Sequence, residues 1–261
     1  MPEVSPHSLD RREFKYLVPD QVARDIAQAI SSVCSLDANA GPDGTYLIRS
    51  LYLDNEQLGL YWANEREEMN RYKARIRTYP PHSNHVWLEV KARSGDSMYK
   101  TRACVPMSDW EALVKNPTED RLSSLPIQDR KMLERFAYYV HIHRLQPHVL
   151  VEYNREAYFS HVDDYARVTF DRDIRSQDQM KWSTEAAPHL WRVVDHPVQT
   201  HTKDPMCVVE LKFGAMVPRW MNVLIQNFEL IRYSFSKYCY SIDAQKILPR
   251  SHVAGVQPRF Q

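Results

Sequence analysis

Glycine is scarce, six in 261 residues, and no stretch repeats at a fixed period, which argues against solenoids and propellers. No apolar run approaches the ~18 residues of a membrane-spanning helix. The first ten residues, with Pro2, Pro6 and Asp10, lack the apolar segment of a secretory leader, so the cytosol is the expected compartment. Cys34, Cys104, Cys207 and Cys239 fall without a CxxC pair, which argues against a disulfide framework or a thiolate zinc site and for buried thiols. Also missing are GxxxxGK[ST], GxGxxG, HExxH and GxSxG, so a P-loop, a dinucleotide fold, a zincin or a hydrolase elbow has no support. Net charge is nearly absent too, because 34 Lys and Arg offset 33 Asp and Glu. What is present, 43% hydrophobic and 26% charged residues, is the composition of a chain with a real core.

The pattern along the chain predicts an amphipathic helix over 20–34, with Val22, Ile26 and Ile30 at fourfold spacing and Asp20 as its N-cap. A strand follows at 46–53, a short helical stretch at 55–63, and strands at 71–79 and 86–93 joined through Pro80-Pro81-His82-Ser83-Asn84. Another strand is expected at 98–105. Ser108-Asp109-Trp110-Glu111 has capping-box spacing and starts a helix, and 127–144 reads as a second. Strands are expected at 149–158, 165–171 and 206–213, and helices at 218–229 and 236–247. The stretch 175–204 reads as a long loop or insertion, with residues 1–10 and 248–261 as loose ends. Helices not placed for regular βαβ crossovers favour an α+β fold on an antiparallel sheet or barrel, in a single domain over 11–247.

The strand faces carry the functional argument. Period two puts Lys73, Arg75, Arg77 and Tyr79 on one face and Tyr72, Ala74, Ile76 and Thr78 on the other. Glu89, Lys91 and Arg93 stand together behind Trp87, opposite Val86, Leu88 and Val90. Lys100 with Arg102, Arg167 with Thr169 and Asp171, Glu210 with Lys212, and Arg11 with Glu13 and Lys15 repeat the arrangement. For any one strand, a wet face of an ordinary half-buried sheet explains this. Across all of them, Lys15, Lys73, Arg75, Arg77, Lys91, Arg93, Lys100, Arg102, Arg167 and Lys212 stand against Glu13, Glu89, Asp171 and Glu210. If the strands curl so that these faces converge, the interior is a cationic channel that a polyanion must compensate, with helices covering the apolar outer faces. The carboxylates Glu13, Glu89 and Glu210 have two readings, as oxygen ligands of Mg²⁺ or Mn²⁺ bridging phosphates or as counter-ions of neighbouring arginines. His141, His143 and His148 read as solvated or capping histidines rather than a metal site. Tyr72, Tyr99, Tyr153 and Tyr158 read as packing between strands and helices, and nucleic acid is not an expected partner.

A series of segments in order then resembles a known family. Arg12-Glu13-Phe14-Lys15-Tyr16, Ser50-Leu51-Tyr52-Leu53-Asp54, Lys73-Ala74-Arg75-Ile76-Arg77, Leu88-Glu89-Val90-Lys91, Tyr153-Asn154-Arg155-Glu156-Ala157-Tyr158, Arg167-Val168-Thr169-Phe170-Asp171, Val209-Glu210-Leu211-Lys212-Phe213 and Phe235-Ser236-Lys237-Tyr238 are similar to the VTC domain. That domain is the catalytic part of the vacuolar transporter chaperone polyphosphate polymerase, one of the triphosphate tunnel metalloenzymes. The resemblance covers about residues 11–245 and implies an eight-stranded antiparallel β-barrel tunnel with helices outside. It implies transfer of the γ-phosphoryl of ATP to orthophosphate, pyrophosphate or a polyphosphate end, with Mn²⁺ or Mg²⁺. Lys15, Arg75, Arg77, Arg155, Arg167, Lys212 and Lys237 resemble the residues at the transferring phosphate. Tyr52, Lys73, Lys91, Lys100, Arg102 and Ser236 resemble further phosphate contacts, and Glu210, with Glu89 and Glu13, the metal ligands. The related CYTH-type triphosphatases begin E-x-E-x-K, whereas this chain reads Arg11-x-Glu13-x-Lys15, which favours polymerisation over triphosphate hydrolysis. A non-catalytic sensor of polyphosphate or nucleotide is the third possibility. Arg155 is the misfit, since alternation places it with Val149 and Val151 and only a bulge or a short polar segment would turn it to the charged face. The family acts in membrane assemblies, so a separate membrane partner, with this chain peripheral at the inner face, is implied.

Overall fold

The computed structural model describes residues 12–245 apart from 82, 96, 196, 198–201 and 203. The expectations for residues 1–10, Arg11, the end of the last helix and the tail lie outside these residues. Ten strands form one antiparallel-rich sheet: β1 (Arg12–Pro19), β2 (Cys34–Leu36), β3 (Thr45–Asp54), β4 (Asn70–Thr78), β5 (His85–Ser94), β6 (Ser97–Pro106), β7 (Gln146–Ser160), β8 (Ala166–Asp178), β9 (Arg192–Val193) and β10 (Met206–Phe213). Their order is β1-β10-β8-β7-β3-β4-β5-β6, with β2 on β7 and β9 on β8. The helices are α1 (Asp20–Ala29), α2 (Gly59–Glu65), α3 (Trp110–Lys115), α4 (Glu119–Ser123), α5 (Ile127–Ile142), α6 (Arg219–Asn227) and α7 (Lys237–Gln245), with a 3₁₀ turn at Pro188–Leu190.

The α+β class holds, but the sheet is not closed, in contrast to the expected eight-stranded barrel. Both terminal strands spend their outer edges on something other than each other. Beside β1, the Tyr233 N–H donates to the Lys15 carbonyl at 2.9 Å and Tyr16 bridges to Arg232. On β6, the Cys104 N–H donates to the Asp129 carboxylate of α5 at 2.8 Å. Covering an edge in this way removes the unpaired backbone groups that closure would otherwise satisfy.

Strand boundaries follow the sequence pattern closely, with instructive exceptions. The first helix stops at Ala29 rather than 34, because Cys34–Leu36 pairs with β7 as a short strand. Its N-cap is Pro19, and Asp20 is the first helical residue, bound to Arg24 and Arg172 instead of the helix N–H groups. The capping box at Ser108 does not form, since the Ser108 hydroxyl donates to Asp109. The α4 turn was not expected, and β8 runs on to Asp178, so the first residues of the expected insertion at 175–204 belong to a strand.

The chain divides into two compact units. The first is Met1–Ile48, Glu152–Arg175 and Val193–Lys237; the second is Arg49–Val151, Ser176–Arg192 and Tyr238–Gln261. In the first, β1, β10 and β8 pair in register and turn Tyr16, Val18, Val168, Phe170, Val209, Leu211 and Phe213 onto Ala23 and Ile26 of α1 and Met221 and Leu224 of α6. In the second, Leu51, Leu53, Ala74, Ile76, Val86, Leu88, Val90, Ala103 and Val105 pack against Trp110, Leu113, Leu133, Phe136 and Val140. Leu133, Phe136, Ala137 and Val140 recur at i, i+3, i+4 and i+7, which is why α5 forms and which side it buries. Each fully buried large side chain contributes about 1.5–3 kcal/mol. In both units the clustered apolar side chains of these paired strands pack against helices, and charged residues of the same strands stand on the opposite face.

Candidate functional site

In the first unit that charged face is built around Glu210 on β10. Register places Lys15 opposite Glu210, Glu13 opposite Lys212, and Thr169 and Arg167 of β8 on the other side. Four cations reach the buried Glu210 carboxylate: Lys212 at 2.5 Å, Lys15 and Lys237 at 3.4 Å, and Arg155 at 3.5 Å. Lys15 also lies 3.3 Å from Glu13. Burial alone would push the Glu210 carboxyl up, but Lys212, Lys237, Lys15 and Arg155 overcome it and hold it well below the usual carboxylate range. The supply of anion is not enough for every cation. Lys237 is kept charged by Asp171 and Glu210 in spite of burial, whereas burial and Arg155 push Lys212 down to about 8 against the pull of Glu210.

Asp171, which the sequence reading placed on this face without a role, is its second anchor. Arg155 Nε and Nη2 donate to its two oxygens at 2.6 and 2.7 Å, and Lys237 approaches at 2.5 Å. Asp171 is fully buried, and Arg155 and Lys237 hold its carboxyl down against that burial. Arg155 follows Tyr153 on β7 with its guanidinium 5.4 Å from the Tyr153 ring, so the two share one side of the strand, and that side is charged at 155. Lys237, at the start of α7, also lies over that ring, at 4.8 Å, so the buried Tyr153 packs between its strand and a helix, as expected, and beneath two cations. Arg167 stands opposite Lys212, but its side chain turns to Tyr46, 2.9 Å, and Asp37, 3.5 Å, over Phe159. Ser236 precedes α7 and is half-buried.

In the second unit the charged face is built on β3–β6. Its rows across the strands are Ser50–Arg77–Trp87–Cys104, Tyr52–Arg75–Glu89–Arg102, and Lys73–Lys91–Lys100. Glu89 is 1% exposed and is the one carboxylate in these rows. Arg75 reaches it at 2.6 Å, Lys100 at 3.0 Å, Arg102 at 3.4 Å and Arg77 at 3.8 Å. Burial would raise its carboxyl, yet Arg77, Arg75 and Lys100 hold it well below the ordinary value. Lys100 is drawn down to about 8 by desolvation and by Arg75 and Arg77, although half of its side chain meets water, where screening weakens the effect. Tyr52 reports the same field: burial would push its phenol up, but Arg75, Arg77 and Lys73 bring it down, and Arg75 donates to its oxygen at 3.1 Å. Like charges directly opposite each other destabilise a sheet. Lys73, Lys91 and Lys100 stand side by side in one such row.

The expected metal ligands are divided between these faces, Glu13 and Glu210 in the first unit and Glu89 in the second. Among the described residues no three His, Cys, Asp or Glu side chains converge. Glu89 and Glu210 each have their oxygens turned to Arg and Lys, so a divalent ion held by protein carboxylates alone does not fit this donor arrangement. The histidines stand apart as well. His141 contacts the Val114 carbonyl at 3.2 Å and His143 stacks on Tyr139, whereas His148 is buried on β7 rather than solvated. Among the tyrosines read as packing, Tyr72 meets Tyr139 and Tyr158 meets Phe170, but Tyr99 is exposed. Three of the four cysteines are buried and Cys104 is half-buried.

A mostly antiparallel sheet with helices on its apolar side and strand faces rich in Lys and Arg on the other defines a class of α+β protein. Within that class the chain belongs to the VTC domain family, which it matches over residues 10–245. No curated protein sequence matches it. Among solved structures it is similar to a candidate adenylate cyclase of Bacillus halodurans, with 12% identity, 87% of this chain and 95% of that one covered, and a TM-score of 0.47. It is also similar to the PH1819 protein of Pyrococcus horikoshii OT3, with 9% identity, 88% and 93% covered, and a TM-score of 0.42.

Proposed function

We propose that the protein is a polyphosphate polymerase. The oxygen of an acceptor orthophosphate, pyrophosphate or chain end bonds to the γ-phosphorus of ATP, the bond from that phosphorus to the β–γ bridging oxygen breaks, and ADP leaves. Such a transfer spreads charge over the equatorial oxygens and needs positioning and cations rather than a protein nucleophile. The observation that supports it best is the second unit's face, where Lys73, Arg75, Arg77, Lys91, Lys100 and Arg102 stand in adjoining cross-strand rows and four of them, Arg75, Arg77, Lys100 and Arg102, converge on Glu89. In the first unit, Lys15, Arg155, Arg167, Lys212, Lys237 and Ser236 are assigned phosphate contacts on the family likeness. ATP enters as its Mg²⁺ or Mn²⁺ complex, so the ion travels with substrate. No described helix is long and apolar enough to cross a membrane.

A second reading, a protein that binds polyphosphate or nucleotide without reacting it, is favoured by the engagement of both Glu89 and Glu210 with cations. Incubation with ATP, either metal ion and a pyrophosphate primer, followed by ³¹P NMR, separates these. Internal-phosphate signals are expected. Orthophosphate alone would make the protein a triphosphatase, and unchanged ATP would make it a binder.

A further inference from the structure

One aromatic side chain on the second unit's cationic face is out of place. Along β5 that face reads Trp87, Glu89, Lys91, Arg93, while the core takes Val86, Leu88 and Val90. Trp87 is half-buried and joins neither apolar core. Register sets it between Arg77 on β4 and Cys104 on β6. The Arg102 guanidinium lies 4.8 Å from its ring centroid, and the Tyr79 ring meets it edge-on at 4.9 Å and 88°. The indole is thus held upright by an aromatic edge and a cation, at the end of a strip that otherwise carries phosphate-binding groups. Four residues further along the strand, roughly 13 Å at the rise of a β-strand, lies the Lys73–Lys91–Lys100 row.

Resting on the polymerase reading, we propose that Trp87, with Tyr79 and Arg102, seats the base of a nucleoside triphosphate, whose phosphates run along β5 past Arg75 and Arg77 to the lysine row. A ring stacked on indole and guanidinium gains from its π-face whatever its edge carries, so the seat selects an aromatic base over none, not one base over another. A phosphate chain has no such group and passes this point on charge alone. The strip then distinguishes donor from product: ATP is anchored at both ends, polyphosphate only by its charges.

The test is calorimetric titration of Mg²⁺-saturated ATP and of tripolyphosphate into wild type, Trp87→Ala and Trp87→Phe. Base stacking of about 1–3 kcal/mol corresponds to a loss of roughly five- to hundredfold in ATP affinity for Trp87→Ala, with tripolyphosphate within about twofold and most of the loss recovered in Trp87→Phe. A strut with no ligand role would lower both affinities together or neither, and either result overturns the proposal. If Trp87→Ala unfolds, the indole N–H signal of the wild type, assigned by its disappearance in Trp87→Phe, decides: it shifts with ATP and not with tripolyphosphate if the base sits there, and responds equally to both if it does not. Wild type that binds tripolyphosphate but shows no base-dependent effect overturns the seat alone. Wild type that binds neither ligand overturns the polymerase reading as well.

Discussion

Glu210 and Glu89 each stand on the charged face of a strand with four cations in reach, yet their surroundings differ. Around Glu210 the first unit adds Asp171 and Glu13, and Asp37 takes Arg167, so most of the positive charge is answered within the unit. Around Glu89 the cross-strand rows carry no other carboxylate, and Lys100 and Arg102 keep 51% and 40% of their side chains exposed. The first is a buried network of both signs, and the second is a partly open face richer in cations. A formal charge of +1 for the whole chain conceals this, because the balance that matters is local.

The contrast can be broken most strongly at Asp171. Asp171→Ala leaves Arg155 and Lys237 buried without their anchor, and is expected to cost about 3–5 kcal/mol, read as a lowered midpoint in urea unfolding. If the mutant is as stable as wild type, the network is not structural. Glu89→Gln is expected to cost less, about 1–2 kcal/mol, because water can screen Lys100 and Arg102, and to tighten tripolyphosphate binding by removing a negative charge from that face. Equal losses for the two substitutions would erase the distinction between the units.

A subtler difference concerns protons. Lys212 titrates at about 8 in the free protein, and a bound phosphate chain favours its charged form and raises that value. Binding at and above pH 8 should therefore take up protons, and affinity should fall as pH rises beyond 8; more than about one unit below, Lys212 is already charged and little uptake is expected. Calorimetry in two buffers of different ionisation enthalpy checks the sign. Smallest of all, Asp20→Ala, at the start of α1, should cost about 0.5–1 kcal/mol in thermal unfolding, since its partners Arg24 and Arg172 remain partly in water.

Period-two alternation was enough to separate Arg75 and Glu89 from Ile76 and Leu88, and Lys212 from Leu211, because helices cover the apolar side of those strands. It could not show which carboxylate each cation would choose. Asp171 lay on the right face in the sequence, but its capture of Arg155 and Lys237 depends on strands far apart in the chain. Arg155 misled for a related reason: it shares one side of β7 with Tyr153, and that side is charged at 155. The edges of β1 and β6 were illegible because they are satisfied by a loop at 232–233 and by Asp129, which no periodicity marks. Trp87 was visible beside the cations, but not its contact with Arg102.

The most direct measurement is tripolyphosphate affinity across a salt series for wild type and for the Lys73→Ala/Lys91→Ala double variant. A cationic row that holds phosphate predicts a loss of at least roughly tenfold and a shallower salt dependence. Unaltered affinity and salt dependence in a folded double variant would show that the second unit's cationic face is not where phosphate binds.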